Sequence, residues 1–411
     1  MRNPSIRVLA INCGSSTLKF QLFELKRDSK SYGQEKRLAQ GLVEEIGTRS
    51  VLSFSVEKGE SFRKSFAVAD HGQATRRVLS WLETSGLLEH DGSWAVGHRV
   101  VHGGSHFTEA AIVDDQVLAS IESVSELAPL HNEPAIQAIY AAKEELGAKI
   151  PMVAVFDTAF HSTLPKKASS YGIRQDLAER HGIRRYGFHG IAHQYMTERY
   201  CVITSRPVER TKLITLQLGN GCSAAAVAGG RSLDTSMGFT PLEGLMMGTR
   251  SGDLDPSLPG FLARHEGVEI EEVEHWLNTG SGLLGVSGQS RDMRDLLKAT
   301  QQGDASADLA VEMFCYRVRK YIGAYMAVLG GADALVFGGG IGENAPTIRS
   351  RICAGMDWCR LRVDEDRNAK IVGSEGRISA DDAMVHAFVI PVNESIMIAR
   401  ETARCLQRHR G

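Results

Sequence analysis

The sequence lacks the features that would assign it quickly. Its seven cysteines among 411 residues are odd in number, scattered, and never form a C-x-x-C pair. That pattern fits a reduced, cytoplasmic chain better than a disulfide or zinc framework. A formal net charge of −2 leaves no bulk attraction for nucleic acid or an anionic membrane surface, so neither is expected as a partner. No apolar run reaches the roughly 18 residues of a membrane helix. The best candidate, AYMAVLGGADALVFGGG at 324–340, is broken by Asp333 and full of glycine. The apolar stretch Val8 to Ile11 gives way at once to Asn12, so no signal peptide is expected. The dipeptide Gly-Lys is absent, and with it the P-loop, whose signature ends in Gly-Lys-Ser/Thr.

Glycine is abundant, with 42 residues, and three glycine turns follow apolar strands. RVLAINCGSSTLKFQLFEL (7–25) reads as strand, turn, strand, with Leu18, Phe20 and Leu22 alternating against Lys19 and Gln21 at the period of a half-buried strand. LITLQLGNGCSAAAVAGGRSL (213–233) repeats the pattern, and ALVFGGGIGEN (334–344) runs from a strand into a glycine loop before a helix expected near Pro346. Bare backbone N–H groups in such turns make anion-binding concavities. Lys19 could add a point charge near terminal phosphates, and Asn12 an oxygen for magnesium or its waters. GIGENA (340–345) also fits the dinucleotide fingerprint, with Asp357 as the acidic partner. Hydride chemistry is disfavoured, because Glu343 would bring a carboxylate beside a pyrophosphate and the loop does not open a βαβ domain.

Helical periodicity is read at 72–88, 132–146, 305–329 and 393–408, and further strands at MVAVFD and HAFVIP. The interleaving predicts an α/β class, and the two similar hairpins suggest two related domains facing each other across a cleft. In GHRVVHGGSH (97–106), valines and glycines argue against a helical His98, His102 and His106 metal site. Arg99 there is either ion-paired or built to hold an anion. PLHNEPAI places His131 at a turn before a helix, and VAVFDTAFH ends an apolar strand in Asp157. RRYGFHGIAH sets His189 and His193 about a glycine, and GFTPLEGLMMGTRSGDLDP (238–256) is a long irregular stretch holding Arg250. Ordering such a loop is costly without a functional reason. Two arginines, two histidines, an aspartate and three glycine turns fit phosphoryl transfer, where positioning and charge neutralisation do most of the chemistry.

These motifs, with DTSMGFTPLEGLMMGTRSGDLDP, GVSG…DMRDL and VIPVNESIMIARET, stand in the order of the acetate kinases, which the chain resembles from about residue 7 to 403. The resemblance implies a duplicated actin-like ATPase (ribonuclease H-like) α/β fold of two domains about a central cleft. Those domains would be 1–158 plus 395–411, and a nucleotide-binding and dimerisation domain at 159–394. It implies a cytoplasmic homodimer that interconverts acetate and ATP with acetyl phosphate and ADP by direct in-line transfer, the domains closing to expel water. It further implies magnesium, with manganese as a substitute, associated with Asn12 and Glu394. Ser15, Thr17 and Lys19 would lie near the phosphates, and Arg99 and Arg250 would bind the carboxylate and the moving phosphoryl group. Asp157 would move a proton or orient an arginine, and His189 would stabilise the transition state, supported by His131. Nucleotide contacts would come from Gln217, Leu218, Gly219, Asn220 and Gly221, from Asp292, Met293 and Arg294, and from Gly340, Ile341, Gly342, Glu343 and Asn344. Val101, Leu130, Phe188 and Pro241 would line a pocket for the acetate methyl.

The chain departs from the pattern it resembles at several positions. Gln217 stands where a histidine is common, so an uncharged amide replaces a titratable ring. Thr17 replaces a serine and keeps the hydroxyl, Glu133 and Ala135 replace a proline and an asparagine, and GIAH (190–193) replaces GTSH, losing two hydroxyls beside His193. A propionate or other short-chain carboxylate kinase is the nearest alternative function, and an ATP-binding, non-catalytic scaffold on the same fold is the other.

Overall fold

Alternation and apolar runs divide the chain into strands of two kinds. The computed structural model describes residues 5–26, 35–57, 59, 61–88, 94–125 and 129–409, and of residues 129–131 the backbone alone. They form two units, Met1–Phe160 with Asn393–Gly411, and His161–Val392.

The first unit holds β1 (Ser5–Cys13), β2 (Leu18–Lys26), β3 (Lys36–Glu44), β4 (Arg49–Val56), β5 (Ser61–Ala67), β6 (Trp94–Val100), β7 (Ala111–Ile112) and β8 (Met152–Phe156). They make one sheet in the order β5-β4-β3-β2-β1-β6-β8-β7. β1 pairs antiparallel with β2 and parallel with β6, and β6 pairs parallel with β8. The parallel strands are covered on both faces, which is why every residue of Met152–Phe156 is apolar and buried. Along β2 the alternation follows the expected register, with Leu18, Phe20 and Leu22 buried and Lys19 exposed. Phe20, Phe54 and Trp81 form an aromatic cluster, the first two 5.1 Å apart edge to face, that seats the helix His71–Thr84 on the antiparallel half. The helix Glu394–Arg408 lies against β6 at Gly97, where a Cβ would sit 2.2 Å from Thr402 Oγ1.

The second unit holds β9 (Lys212–Leu218), β10 (Cys222–Ala228), β11 (Arg231–Thr235), β12 (Ala334–Gly338), β13 (Gly376–Arg377) and β14 (His386–Val389), in the order β11-β10-β9-β12-β14-β13. β9 pairs antiparallel with β10 and parallel with β12, and β12 pairs parallel with β14. The run β11-β10-β9-β12-β14 therefore repeats β3-β2-β1-β6-β8 in order and direction. One topology occurs twice, and the two similar hairpins were its trace in the sequence.

Two local expectations are corrected. His131 lies inside the helix Pro129–Leu146 rather than at a turn before it, because Pro129 fits the first turn, where its missing N–H has no partner to lose. The segment after β12 is a short helix, Gly339–Asn344, rather than an open loop. Gly339 makes the reversal at φ +75°, where a Cβ would lie 2.6 Å from the Leu218 carbonyl oxygen. The second helix begins at Pro346, as expected.

Candidate active site

In the first unit, four polar residues sit at the C-terminal ends of β1, β6 and β8 and at the start of the helix Glu394–Arg408. Arg99 Nε donates to Asp157 Oδ2 at 3.1 Å, reinforced by Nη2 to the same oxygen, and Nη1 donates to Asn12 Oδ1 at 3.0 Å. Asn12 Nδ2 donates to Glu394 Oε2 at 2.7 Å. Asp157 is fully buried and the Arg99 side chain is 13% exposed. Burial opposes the charge on Arg99, but the carboxylates of Asp157 and Glu394 outweigh it and hold its pKa above the ordinary arginine value. Asp157 thus acts on Arg99, fixing the plane of the guanidinium. The β1–β2 register pairs Asn12 with Lys19, which sets both on one face of the sheet. Between them the turn closes through Gly14 N to Thr17 O at 2.8 Å, with Ser15 exposed and Thr17 half-buried. Val101 follows β6 and is buried. The next residues are held by Asn132, which accepts from His102 N and donates to His102 O, each at 3.0 Å. The side chains of Leu130 and His131 lie outside the described residues.

In the second unit two of the glycine turns meet. A Cβ on Gly219 would lie 4.0 Å from Gly340 N, and Gly219 N donates to Gly221 O at 3.1 Å. A Cβ on Gly221 would lie 3.4 Å from His189 Nε2 and 3.8 Å from Arg250 Nη1. The LGNG turn, His189 and Arg250 therefore face one another. Arg250 Nη1 donates to Pro241 O at 3.0 Å and approaches Met247 Sδ. No carboxylate among the described residues pairs with Arg250, and burial pushes its pKa down, offset in part by Cys222. A half-buried cation in that state is ready for an anion. His189 stands at the N-cap of the helix Gly190–Thr204 with φ 57°, a left-handed conformation uncommon for a side-chain-bearing residue and typical of functional sites. Its Nδ1 lies 2.8 Å from Ser223 Oγ. Phe188, next to it, is buried, and its carbonyl oxygen lies 3.1 Å from His161 Nε2.

The irregular stretch that carries Pro241 and Arg250 is ordered by polar groups from outside it and by its own Asp253. Arg185 Nη1 donates to the carbonyl oxygens of Thr235, Ser236 and Met237, each at 3.1 Å, and Nη2 donates to Glu243 Oε1 at 2.5 Å. Tyr171 donates to Glu243 and accepts from Phe239 N. Asp253 accepts from Gly244 N at 2.9 Å and from Tyr321 at 2.8 Å.

The carboxylate of Glu343 is folded back: Oε1 accepts from Gly339 N at 2.8 Å and from Val392 N at 3.0 Å. Burial raises its pKa, and those two N–H groups oppose the rise. The Glu343 carboxylate is thus committed to two backbone N–H groups. Asn344 Nδ2 donates to Gly340 O. Leu218 is buried and Asn220 O accepts from Gly248 N at 2.9 Å. Gln217 Oε1 is buried without a hydrogen-bond partner among the described residues. Asp292 caps the helix Met293–Gln301. It binds Arg294 through both the backbone N–H and the guanidinium, which lower its pKa to about 2, and its hydrogen bonds are local.

Sequence reasoning missed Arg349, which is fully buried and donates to the carbonyl oxygens of Gly342 and Glu343 at 2.8 and 3.1 Å. The signal was present: Arg349 occupies a core-facing position in a helix whose other buried positions are Ile348, Ile352 and Cys353. Ser223 and Thr215 were also passed over, as small polar residues inside apparently apolar strands.

The family model of the acetokinase family matches residues 7–400. The chain belongs to the acetokinase family. It is 46% identical to the acetate kinase of Chloroherpeton thalassium, over 98% of this chain and 100% of that one. It is 47% identical to the acetate kinase of Methanosarcina thermophila, over 98% and 97%. Among solved structures, the Porphyromonas gingivalis acetate kinase aligns with a TM-score of 0.88 at 40% identity, covering 98% of this chain and 100% of that chain. A propionate kinase from Francisella tularensis aligns at 0.87 and 38% identity, covering 96% and 98%. The fold is the duplicated actin-like α/β architecture that the resemblance implied.

Proposed function

We propose that this protein is an acetate kinase, transferring the γ-phosphoryl group of ATP to acetate and, in reverse, that of acetyl phosphate to ADP. The observation that carries the reading is Arg250. It is a half-buried guanidinium without a carboxylate partner among the described residues, facing His189 and a bare glycine turn. In phosphoryl transfer the protein positions the reactants and neutralises charge on the equatorial oxygens. Arg99, held by Asp157 and Asn12, anchors the carboxylate of acetate. Arg250 and His189 hold the moving phosphoryl group, and Lys19 with the backbone of the glycine turns holds the remaining phosphates. Glu394 supplies a carboxylate held in place by Asn12, whose Nδ2 donates to Glu394 Oε2 at 2.7 Å while its Oδ1 accepts from Arg99. That donor set suits magnesium, which binds through one or two protein oxygens and substrate phosphates. Bound magnesium would neutralise phosphate charge. A cytoplasmic homodimer goes with the reading.

A hydroxamate assay for acetyl phosphate, with magnesium-ATP and high acetate, tests the proposal; absence of product overturns it in favour of an inert ATP-binding scaffold. Arg250→Ala should lower turnover at least about a hundredfold, the scale of one preorganised donor, and turnover within a fewfold of wild type would remove Arg250 from the chemistry. The propionate kinase likeness raises substrate size as a second reading. One methylene in an apolar pocket is worth about 1–3 kcal/mol, and the buried Val101 favours acetate; comparison of kcat/KM for the two acids decides.

A further inference from the structure

The groups behind His189 carry an inference that rests on the role proposed for that residue. Ser223 Oγ lies 2.8 Å from His189 Nδ1 and 2.8 Å from His193 Nε2, and His193 Nδ1 lies 2.7 Å from Thr215 Oγ1. Thr215, His193 and Ser223 are all fully buried. The order follows from the strands: β9 and β10 pair Ser223 with Gln217, and Thr215, two residues back along β9, shares their face.

Counting protons gives this chain a direction. A hydroxyl has one proton to donate. Among the described residues the acceptor within reach of the Thr215 proton is His193 Nδ1, and a buried donor left unmade is costly. His193 is kept neutral, since burial and the neighbouring rings of His161 and His189 push its pKa well down. With Nδ1 accepting, its single proton is on Nε2 and is donated to Ser223 Oγ. The Ser223 proton then goes to His189 Nδ1. We propose that Thr215, His193 and Ser223 are positioning residues forming a one-way hydrogen-bond chain that holds neutral His189 with its proton on Nε2. Nε2 is on the ring edge facing Gly221, so His189 donates to the phosphoryl group without needing to be cationic. Among the described residues the ionisable groups around it include the Arg250 guanidinium and Cys222 thiol beside the turn, His193 behind it, and His161, whose ring centroid is 5.6 Å from that of His193. With Arg250 already supplying a positive charge, a neutral donor completes the set, and the uncharged Gln217 on the same face is in keeping with it.

The test is 15N-histidine NMR on the full-length protein above pH 7, the His189 signals being assigned by their loss in His189→Asn. The chain requires a bare Nδ1 and a protonated Nε2 on His189; a proton on Nδ1 overturns it. Kinetics supply a second measurement. Ser223→Ala should lower kcat about 10–100-fold, the range for removing an orienting partner, with KM for acetate within about twofold. Ser223→Thr should recover most of the loss. Wild-type turnover should hold steady as pH rises through about 6.5, where an ordinary histidine loses its charge. A wild-type rate that falls with the imidazolium, or a Ser223→Ala rate within about twofold of wild type, overturns the proposal. If the wild type makes no acetyl phosphate, the kinase reading fails while the NMR result still decides the chain.

Discussion

Gly221→Ala separates the function of the LGNG turn from its contribution to folding. A Cβ at this position would lie 3.4 Å from both Cε1 and Nε2 of His189 and 3.8 Å from Arg250 Nη1, all ordinary van der Waals separations. The backbone there does not have a positive φ. The fold should therefore accept the methyl, and reduced freedom of the unfolded chain could add about 0.4–1 kcal/mol of stability. A phosphoryl oxygen bound by His189 must come within about 2.7–3.2 Å of Nε2, into the volume that the methyl would take. Losing one such donor costs about 10²–10³ in kcat, with Arg250 crowded as well. The contrast is Gly97→Ala, whose Cβ would fall 2.2 Å from Thr402 Oγ1 and 2.9 Å from Ile398 Cγ2. Overpacking of that kind costs about 1–3 kcal/mol. Urea denaturation and acetyl phosphate formation measure both variants. Gly221→Ala should keep or raise its unfolding midpoint and lose activity, while Gly97→Ala should lose stability. A folded Gly221→Ala with wild-type turnover would refute the claim that the phosphoryl group binds between this turn, His189 and Arg250.

Two further outcomes concern groups away from the chemistry. His98 is buried on β6 with neither ring nitrogen partnered among the described residues, and burial lowers its pKa to about 3. The unfolded chain takes up a proton near the ordinary value of about 6.5 and the native state does not. The stability associated with neutral His98 is thus intact above that pH and is lost as pH falls from there towards 3. His98→Leu should flatten that slope and gain about 1 kcal/mol or more at pH 7 by removing unpaired polar atoms; parallel stability–pH curves for the two proteins would contradict this. Arg349→Met removes the side-chain donors to the carbonyl oxygens of Gly342, Glu343, Asn368 and Ile371, of which Glu343 and Asn368 keep backbone N–H donors, at a cost on the order of 3 kcal/mol. It should also raise KM for ATP by loosening the 339–344 helix, and an unchanged KM in a folded variant would unlink Arg349 from the nucleotide.

Much of the architecture was legible because its cause is local. The period of two in β2 follows from one buried face, and the all-apolar β8 from two. The helix Ala305–Leu329 is bounded where expected because Asp304 caps its start and Gly330 takes the left-handed conformation at its end. Arg99 and Arg250 drew notice as cations in apolar or irregular surroundings, but Asp157 as the partner of Arg99 and the lack of a carboxylate beside Arg250 among the described residues depend on which strand lies next to which. Glu343 looked unfavourable in sequence because the direction of its carboxylate is set by Gly339 and Val392, the latter 49 residues away.

The sequence by itself determined the alternation of strands and helices, the repeated hairpins and the residue types available for phosphoryl transfer, since each is written in neighbours a few positions apart. Only the tertiary structure decided that Gly219 meets Gly340, that Gly221 leaves its Cβ space between His189 and Arg250, and that Thr215, His193 and Ser223 line up behind His189. Those juxtapositions arise from register between strands distant in the chain. A hydrogen bond of 2.8 Å depends on position in space, which no local pattern encodes.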